Sequence, residues 1–131
     1  MKYLLDTAVW VWSLGDVERI HARPRQLIAE AREELYLSAA SSWEISIKWA
    51  LGKLRLPEPP VRLVPKALVA QRIRALPITH AHALAVSALP LHHSDPFDRL
   101  LIAQAQAEGM TILTADRHFQ AYEVEILWCG R

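Results

Sequence analysis

Apolar residues follow two rhythms along this chain: short unbroken runs, and longer stretches that repeat at helical spacing. The runs predict buried strands and the stretches predict helices. Tyr3-Leu4-Leu5 is the first run, ended by Asp6-Thr7. Residues 8–14 follow as a short apolar helix carrying Trp10 and Trp12, stopped near Gly15. Pro24 opens a second helix, with Leu27, Ile28, Ala31 and Leu35 on one face and Arg25, Glu30, Arg32 and Glu33 on the other. Leu35-Tyr36-Leu37-Ser38 is the second strand. Residues 40–51 carry both rhythms, since Trp43, Ile45, Ile47 and Trp49 alternate while Ala40, Trp43, Ile47, Ala50 and Leu51 fit a helix. Their length, a cap at Ser41 or Ser42 and a stop at Gly52 predict the helix.

Pro57, Pro59 and Pro60 mark a loop, and Pro65 is expected to start a helix running to about Ala75. Leu76-Pro77-Ile78 reads as a short extended piece, and residues 81–88 as a short helix ended by Pro90. The stretch from His93 to Gly109 stands apart. Asp95 fits a helix cap, Pro96 the first helical position, and Asp98 the first turn. Behind them Leu100, Leu101, Ile102, Ala103, Ala105 and Ala107 leave little polar face, so this helix is expected to be buried. Thr111–Thr114 is a strand with Asp116 just past its end, residues 116–121 make one or two helical turns, and residues 124–128 close with a strand. Strands alternating with helices predict an α/β fold with a central, mostly parallel sheet, in one domain spanning residues 1–131 without a linker.

Composition narrows the class. Apolar residues make up 52% of the 131 and charged residues 22%, which is a folded globular chain. The net charge of +1 gives no argument for nucleic-acid binding, which could come only from local patches. A single cysteine, Cys129, excludes an internal disulfide and a thiolate zinc cluster, fits a reducing cytoplasm, and is expected to be inert. No signal peptide and no membrane span is expected, because Asp6 interrupts the apolar start and no apolar run is long enough.

The candidate chemistry lies in acids. Asp6 and Asp116 each follow the carboxyl end of a strand, the edge where open parallel sheets place ligands. Asp98 sits at a helix N-terminus and Glu44 in the first turns of its helix. Each has a simpler reading. Asp6 and Asp116 would serve as helix caps, Asp98 would complete a capping box with Asp95, and Glu44 would pair with Lys48. Four carboxylates gathered at one edge would instead raise one another's pKa unless a cation neutralised them. Oxygen donors without soft partners point to Mg²⁺ or Mn²⁺, and such a site suits in-line attack of a metal-activated water on a phosphodiester.

LLDTAVWVW at residues 4–12, SSWEISIK at 41–48, HSDPFDRLLIAQA at 93–105 and LTADRHF at 113–119 together resemble the blocks of PIN-domain proteins, and among these VapC-type toxins of bacterial toxin–antitoxin pairs. The likeness covers nearly the whole chain, and HSDPFDR is its most specific block. It implies a PIN-like three-layer α/β/α fold and a Mg²⁺- or Mn²⁺-dependent endoribonuclease. By the same likeness, Asp6, Glu44, Asp98 and Asp116 match the family's acidic positions. Asp6 and Asp98 would be direct metal ligands, while Glu44 and Asp116 would bind through water, hold a second ion or orient the attacking water. Thr114 matches a small hydroxyl residue near the metal, and Asp95 an acid with a structural, capping role. The likeness further implies an RNA substrate, a cognate VapB-type antitoxin that blocks the site, and a homodimer.

Lys48, Lys53 and Arg55 form the densest basic patch near an acid block, and Arg99 and Arg117 each follow an acid; these are candidate RNA contacts, with surface salt bridges as the alternative. Of the Trp residues, core packing is expected for most, with some left to line an antitoxin groove or a dimer contact. His80, His82, His92 and His93 have poor spacing for a zinc site and are expected in loops or at the surface. Asp6 followed by Thr7-Ala8 speaks against a haloacid-dehalogenase-type phosphatase, and the lack of a Gly-rich loop against nucleotide binding. A nuclease of RNA processing or of DNA, and a non-catalytic α/β binding module, remain the alternatives.

Overall fold

A computed structural model describes residues 1–131. Its centre is a five-stranded sheet in the order β3-β2-β1-β4-β5, with every neighbouring pair parallel. The strands are β1 (Lys2–Leu5), β2 (Glu34–Ser38), β3 (Arg74–Leu76), β4 (Thr111–Thr114) and β5 (Ile126–Trp128). The helices are α1 (Thr7–Ser13), α2 (Ala22–Glu30), α3 (Ala39–Ala50), α4 (Pro60–Gln71), α5 (His80–Ala85) and α6 (Pro96–Glu108), with single 3₁₀ turns at Val17–Arg19, Val86–Ala88 and Arg117–Ala121.

Alternation along the strands sends side chains to two separate cores. Tyr3, Leu5, Leu35, Leu37 and Leu113 face one side, where Val9, Trp10, Ile28 and Val64 bring in α1, α2 and α4. Leu4 and Ile112 face the other, where Leu101, Ile102, Ala103 and Ala105 bring in α6. The expected α/β/α layering is therefore present, and the sheet is wholly parallel. The strand order reverses direction at β1: the chain moves outward to β2 and β3, then returns to β4 on the other side. Ligands of open parallel sheets gather at that switch, beyond the carboxyl ends of the strands. Asp6 and Asp116 stand there.

Several boundaries differ from the sequence expectation. Helix α4 begins at Pro60, not Pro65, with the Pro59 carbonyl accepting from the amides of Arg62 and Leu63. Pro65 lies inside the helix; the amide it lacks would have met the carbonyl of Val61, which is on the solvent side. The extended piece expected at 76–78 is the edge strand Arg74–Leu76, for which Pro77, lacking an amide, is the natural stop. Helix α3 is capped by Ser38 rather than Ser41 or Ser42, since β2 runs directly into it and the Ser38 Oγ accepts from the Ala40 amide at 2.9 Å. Gly109 ends α6 with a φ of +67°, a left-handed turn that suits a residue without a side chain. No helix is long and apolar enough to cross a membrane.

Candidate active site

A cleft of about 890 Å³ at the carboxyl edge of β1 and β4 is lined by Asp6, Glu44, Asp95, Asp98 and Asp116. The four candidate acids thus arrive at one place from four elements. A hollow of similar size, about 950 Å³, lies between α2 and the end of α4, but Glu30 is its sole carboxylate.

Local structure separates the acids that cap helices from those that do not. Asp95 caps α6, its Oδ1 accepting from the amides of Phe97 at 2.9 Å and Asp98 at 3.1 Å. Asp116 caps the following 3₁₀ turn, its Oδ1 accepting from the His118 amide at 2.9 Å. Asp6 occupies the cap position of α1 yet makes no capping bond. Its Oδ2 instead accepts from the Thr114 hydroxyl at 2.7 Å, and that hydroxyl accepts from the Asp116 amide at 3.0 Å. Thr114 therefore ties the ends of β1 and β4 together at the site. Asp98 completes no capping box; its Oδ2 lies 3.3 Å from His93 Nε2. Glu44 is buried, and its Oε2 accepts from Lys48 Nζ at 2.6 Å, so the expected pair forms inside the cleft.

The electrostatics single out two of these groups. Burial pushes the Asp6 carboxyl up from 3.8 to about 6; the Thr114 hydroxyl pulls it down, while Glu44 and Asp116 repel it further. Asp98 is pushed up to about 8, first by burial and then by Asp6, Asp95, Asp116 and Glu44. Neither acid has a lysine or arginine within ion-pair distance, whereas the Glu44 hydrogen bond raises the pKa of the Lys48 ammonium. Asp6, buried, and Asp98, half-buried, are thus two carboxylates repelled by their neighbours and without a lysine or arginine partner.

No three acid, histidine or cysteine side chains converge as a ready-made ligand set. The donors that are present still suit a hard cation. They are all oxygen, two of them are carboxyls whose ionisation no nearby lysine or arginine assists, and a Mg²⁺-sized ion is commonly held by one or two carboxylates with water completing its shell.

Arg99 is not an RNA contact. It is 7% exposed, and its guanidinium donates inward to the carbonyls of Pro90 at 2.8 Å, Val86 at 3.3 Å and Leu89 at 3.3 Å, and to the Tyr122 hydroxyl at 3.1 Å. One residue along a helix is a turn of about 100°, so the neighbour of a cleft-facing Asp98 points into the protein. Lys48, Lys53, Arg55 and Arg117 do line the cleft, joined by Arg19, which the sequence did not single out. His82 is inside rather than in a loop or at the surface, 2% exposed on α5, while His93 lies in the loop before α6 as expected but half-buried, beside Asp98 with its ring stacked on His118 at 5.0 Å. The position of His93, five residues before Asp98 in the most specific block, was the available signal. Of the tryptophans, Trp10 is fully buried and Trp12 lines the cleft under Arg19, while Trp43 and Trp49 are exposed on α3. Cys129 is buried, and burial pushes its thiol up to about 12, which keeps it inert.

The PIN-domain sequence model matches residues 3–125. Ribonuclease VapC22 of Mycobacterium tuberculosis is 29% identical over 120 residues, which is 91% of this chain and 90% of that protein. Ribonuclease VapC16 of the same organism is 41% identical over 58 residues, but the match takes in only 44% of this chain and 41% of that protein. A chain in the crystal structure of VapBC2 from Rickettsia felis, bound to a DNA fragment from its promoter, superposes with a TM-score of 0.75, covering 99% of this chain and 100% of that one. At 16% identity that likeness shows the fold. A chain in the structure of FitAB bound to the IR36 DNA fragment gives a TM-score of 0.70 at 25% identity, covering 96% of this chain and 94% of that one. PIN-domain nucleases of the VapC type generally depend on a divalent metal. The parallel sheet, the acids at its switch point and the match over residues 3–125 agree: this chain belongs to the PIN-domain family.

Proposed function

We propose that this chain is an endoribonuclease requiring Mg²⁺ or Mn²⁺, the toxin of a type II toxin–antitoxin pair, with residues 1–131 acting as one catalytic domain. The observation that carries the reading is the pair Asp6 and Asp98, brought into one acidic cleft without a lysine or arginine partner for either. The resemblance to VapC22 along nearly the whole chain supports ribonuclease over other phosphodiesterase activities.

Asp6 and Asp98 would hold the ion, with Glu44 and Asp116 reaching it through water. A bound divalent cation supplies Lewis-acid activation of water and neutralises charge building on the phosphodiester. Thr114 fixes the Asp6 carboxylate by taking one of its oxygens, leaving the other to face the cleft. Asp116 and Glu44 would orient the attacking water by accepting its hydrogen bonds, one of them taking a single proton. The water oxygen would join phosphorus, one P–O ester bond would break, and one proton would go to the leaving oxygen. Lys48, Lys53, Arg55 and Arg117 rim the same cleft and would bind flanking phosphates, which favours a polyanionic substrate despite the near-neutral whole chain.

A VapB-type antitoxin is the proposed partner, in keeping with the VapBC structure that shares the fold. A homodimer is proposed as well, supported by the exposed apolar residues Trp43, Ile47, Trp49 and Leu51 on and just after α3. The proposed location is the cytoplasm. The direct test is RNA cleavage by purified protein. Cleavage is expected to need Mg²⁺ or Mn²⁺, to stop in EDTA, and to be lost in Asp6→Asn with the circular dichroism of the wild type retained. Cleavage that persists in EDTA overturns the mechanism, and cleavage of DNA but not RNA overturns the substrate.

A further inference from the structure

We infer that His93 is a positioning residue for Asp98, itself held in one tautomer by Tyr122 and the buried guanidinium of Arg99. The inference rests on the proposed metal role of Asp98 for its functional consequence, and on hydrogen-bond geometry alone for the arrangement itself.

Donors and acceptors around Tyr122 leave one solution. Its oxygen accepts from Arg99, at 3.1 Å, and from the backbone amide of His93, at 3.3 Å. Arg99 carries donors only, and the amide is a donor, so both lone pairs of the phenol are taken. The Tyr122 proton must then go to His93 Nδ1, which lies 2.8 Å away. Nδ1 is therefore the acceptor and Nε2 carries the hydrogen. Nε2 faces Asp98 Oδ2 at 3.3 Å and donates to it. The chain of donors runs in one direction, Arg99 to Tyr122 to His93 to Asp98.

Arg99 itself is unusual. It is buried, it makes no ion pair, and its other partners are three main-chain carbonyls. A buried cation without a carboxylate is costly unless hydrogen bonds satisfy it. Here one of its donors goes to the Tyr122 hydroxyl, whose oxygen also lies against His93. Edge-on packing of Tyr122 against His93, at 5.4 Å, and stacking of His93 on His118 restrict the imidazole's swing. Such an outer partner selects which carboxylate oxygen turns to the cleft, and loss of one commonly weakens metal binding by about 10–100-fold.

The test has two arms. Nitrogen-15 spectra of the imidazoles in the wild-type protein at pH 9, with and without Mg²⁺, are expected to show His93 with Nε2 protonated and Nδ1 bare. A proton on Nδ1 overturns the inference. The second arm measures Mn²⁺ binding by electron paramagnetic resonance in folded variants. His93→Leu and Tyr122→Phe are expected to bind about 10–100-fold more weakly. His93→Gln, whose amide can still donate to Asp98, is expected to recover much of the loss. Wild-type affinity in His93→Leu, or no recovery in His93→Gln while it remains folded, overturns the positioning role. A wild-type protein that binds no Mn²⁺ overturns the metal-site proposal above, and the imidazole spectrum still decides the arrangement.

Discussion

Two largely buried polar clusters flank the two ends of α6, and they are balanced differently. At the C-terminal end, His82 Nε2 meets Glu108 Oε2 at 2.9 Å, and His82 Nδ1 accepts from the Thr79 amide at 3.1 Å. Gln104 accepts from the Ser38 hydroxyl at 2.5 Å and donates to the Pro77 carbonyl at 3.2 Å. Every donor there has an acceptor, and the network joins α5, α6 and β2. At the N-terminal end, Asp6 and Asp98 have hydrogen bonds but no lysine or arginine countercharge, and burial with repulsion from neighbouring acids holds both well above the ordinary carboxylate value. A buried network that satisfies itself fastens elements together. One that leaves like charges facing each other costs stability, and is kept where something else is to be bound.

The contrast is broken most sharply by opposite substitutions. Asp98→Asn is expected to abolish RNA cleavage while raising the melting temperature of the metal-free protein. Gln104→Leu is expected to lower stability by about 1–3 kcal/mol, because it strands the Ser38 hydroxyl, and to leave the cleavage rate per folded molecule unchanged. Thermal melts beside an RNA-cleavage assay read both; destabilisation by Asp98→Asn would erase the distinction between the clusters.

The pH dependence sharpens it further. Asp6 and Asp98 have folded-state values of about 6 and about 8 against 3.8 ordinarily. The unfolded chain therefore releases these protons first as pH rises. Their full stabilising contribution is present below about pH 4 and is lost as pH passes through 6 and then 8. Metal-free protein is expected to melt several degrees lower at pH 9 than at pH 5, and a double Asp6→Asn, Asp98→Asn variant to show a flatter profile. Saturating Mg²⁺ is expected to raise the wild-type melting temperature most at the alkaline end, since it binds the ionised acids. An unchanged slope in the double variant would place the pH dependence elsewhere.

The smallest effect belongs to Asp95, whose role is the cap of α6. Asp95→Ala removes two accepted amide bonds and is expected to cost about 1 kcal/mol. Chemical denaturation measures that loss, and cleavage by the folded fraction is expected to change far less than in Asp98→Asn.

Much of this was legible in the chain. The alternation of apolar runs and helical stretches gave the α/β class and four of the five strands, because period and punctuation are local properties. Asp6, Asp98 and Asp116 were legible as candidates because each stands at the end of a strand or the start of a helix, while Glu44, inside α3, was legible through the block SSWEISIK. Pro65 misled because a proline marks a helix start only when nothing upstream has already begun one. Arg99 misled because adjacency in sequence is not adjacency in space on a helix.

By itself, then, the sequence determined where strands end, where α6 begins, and that hard oxygen donors stand at those points. The tertiary structure decided which of the cleft acids cap and which do not, since for Asp6 that depends on a partner from another element, Thr114, claiming the carboxylate. It also decided that Arg99, Tyr122 and His93 stand behind Asp98. Their contacts join residues up to 29 positions apart, and only the packing of α6 against the turn before Tyr122 brings them together.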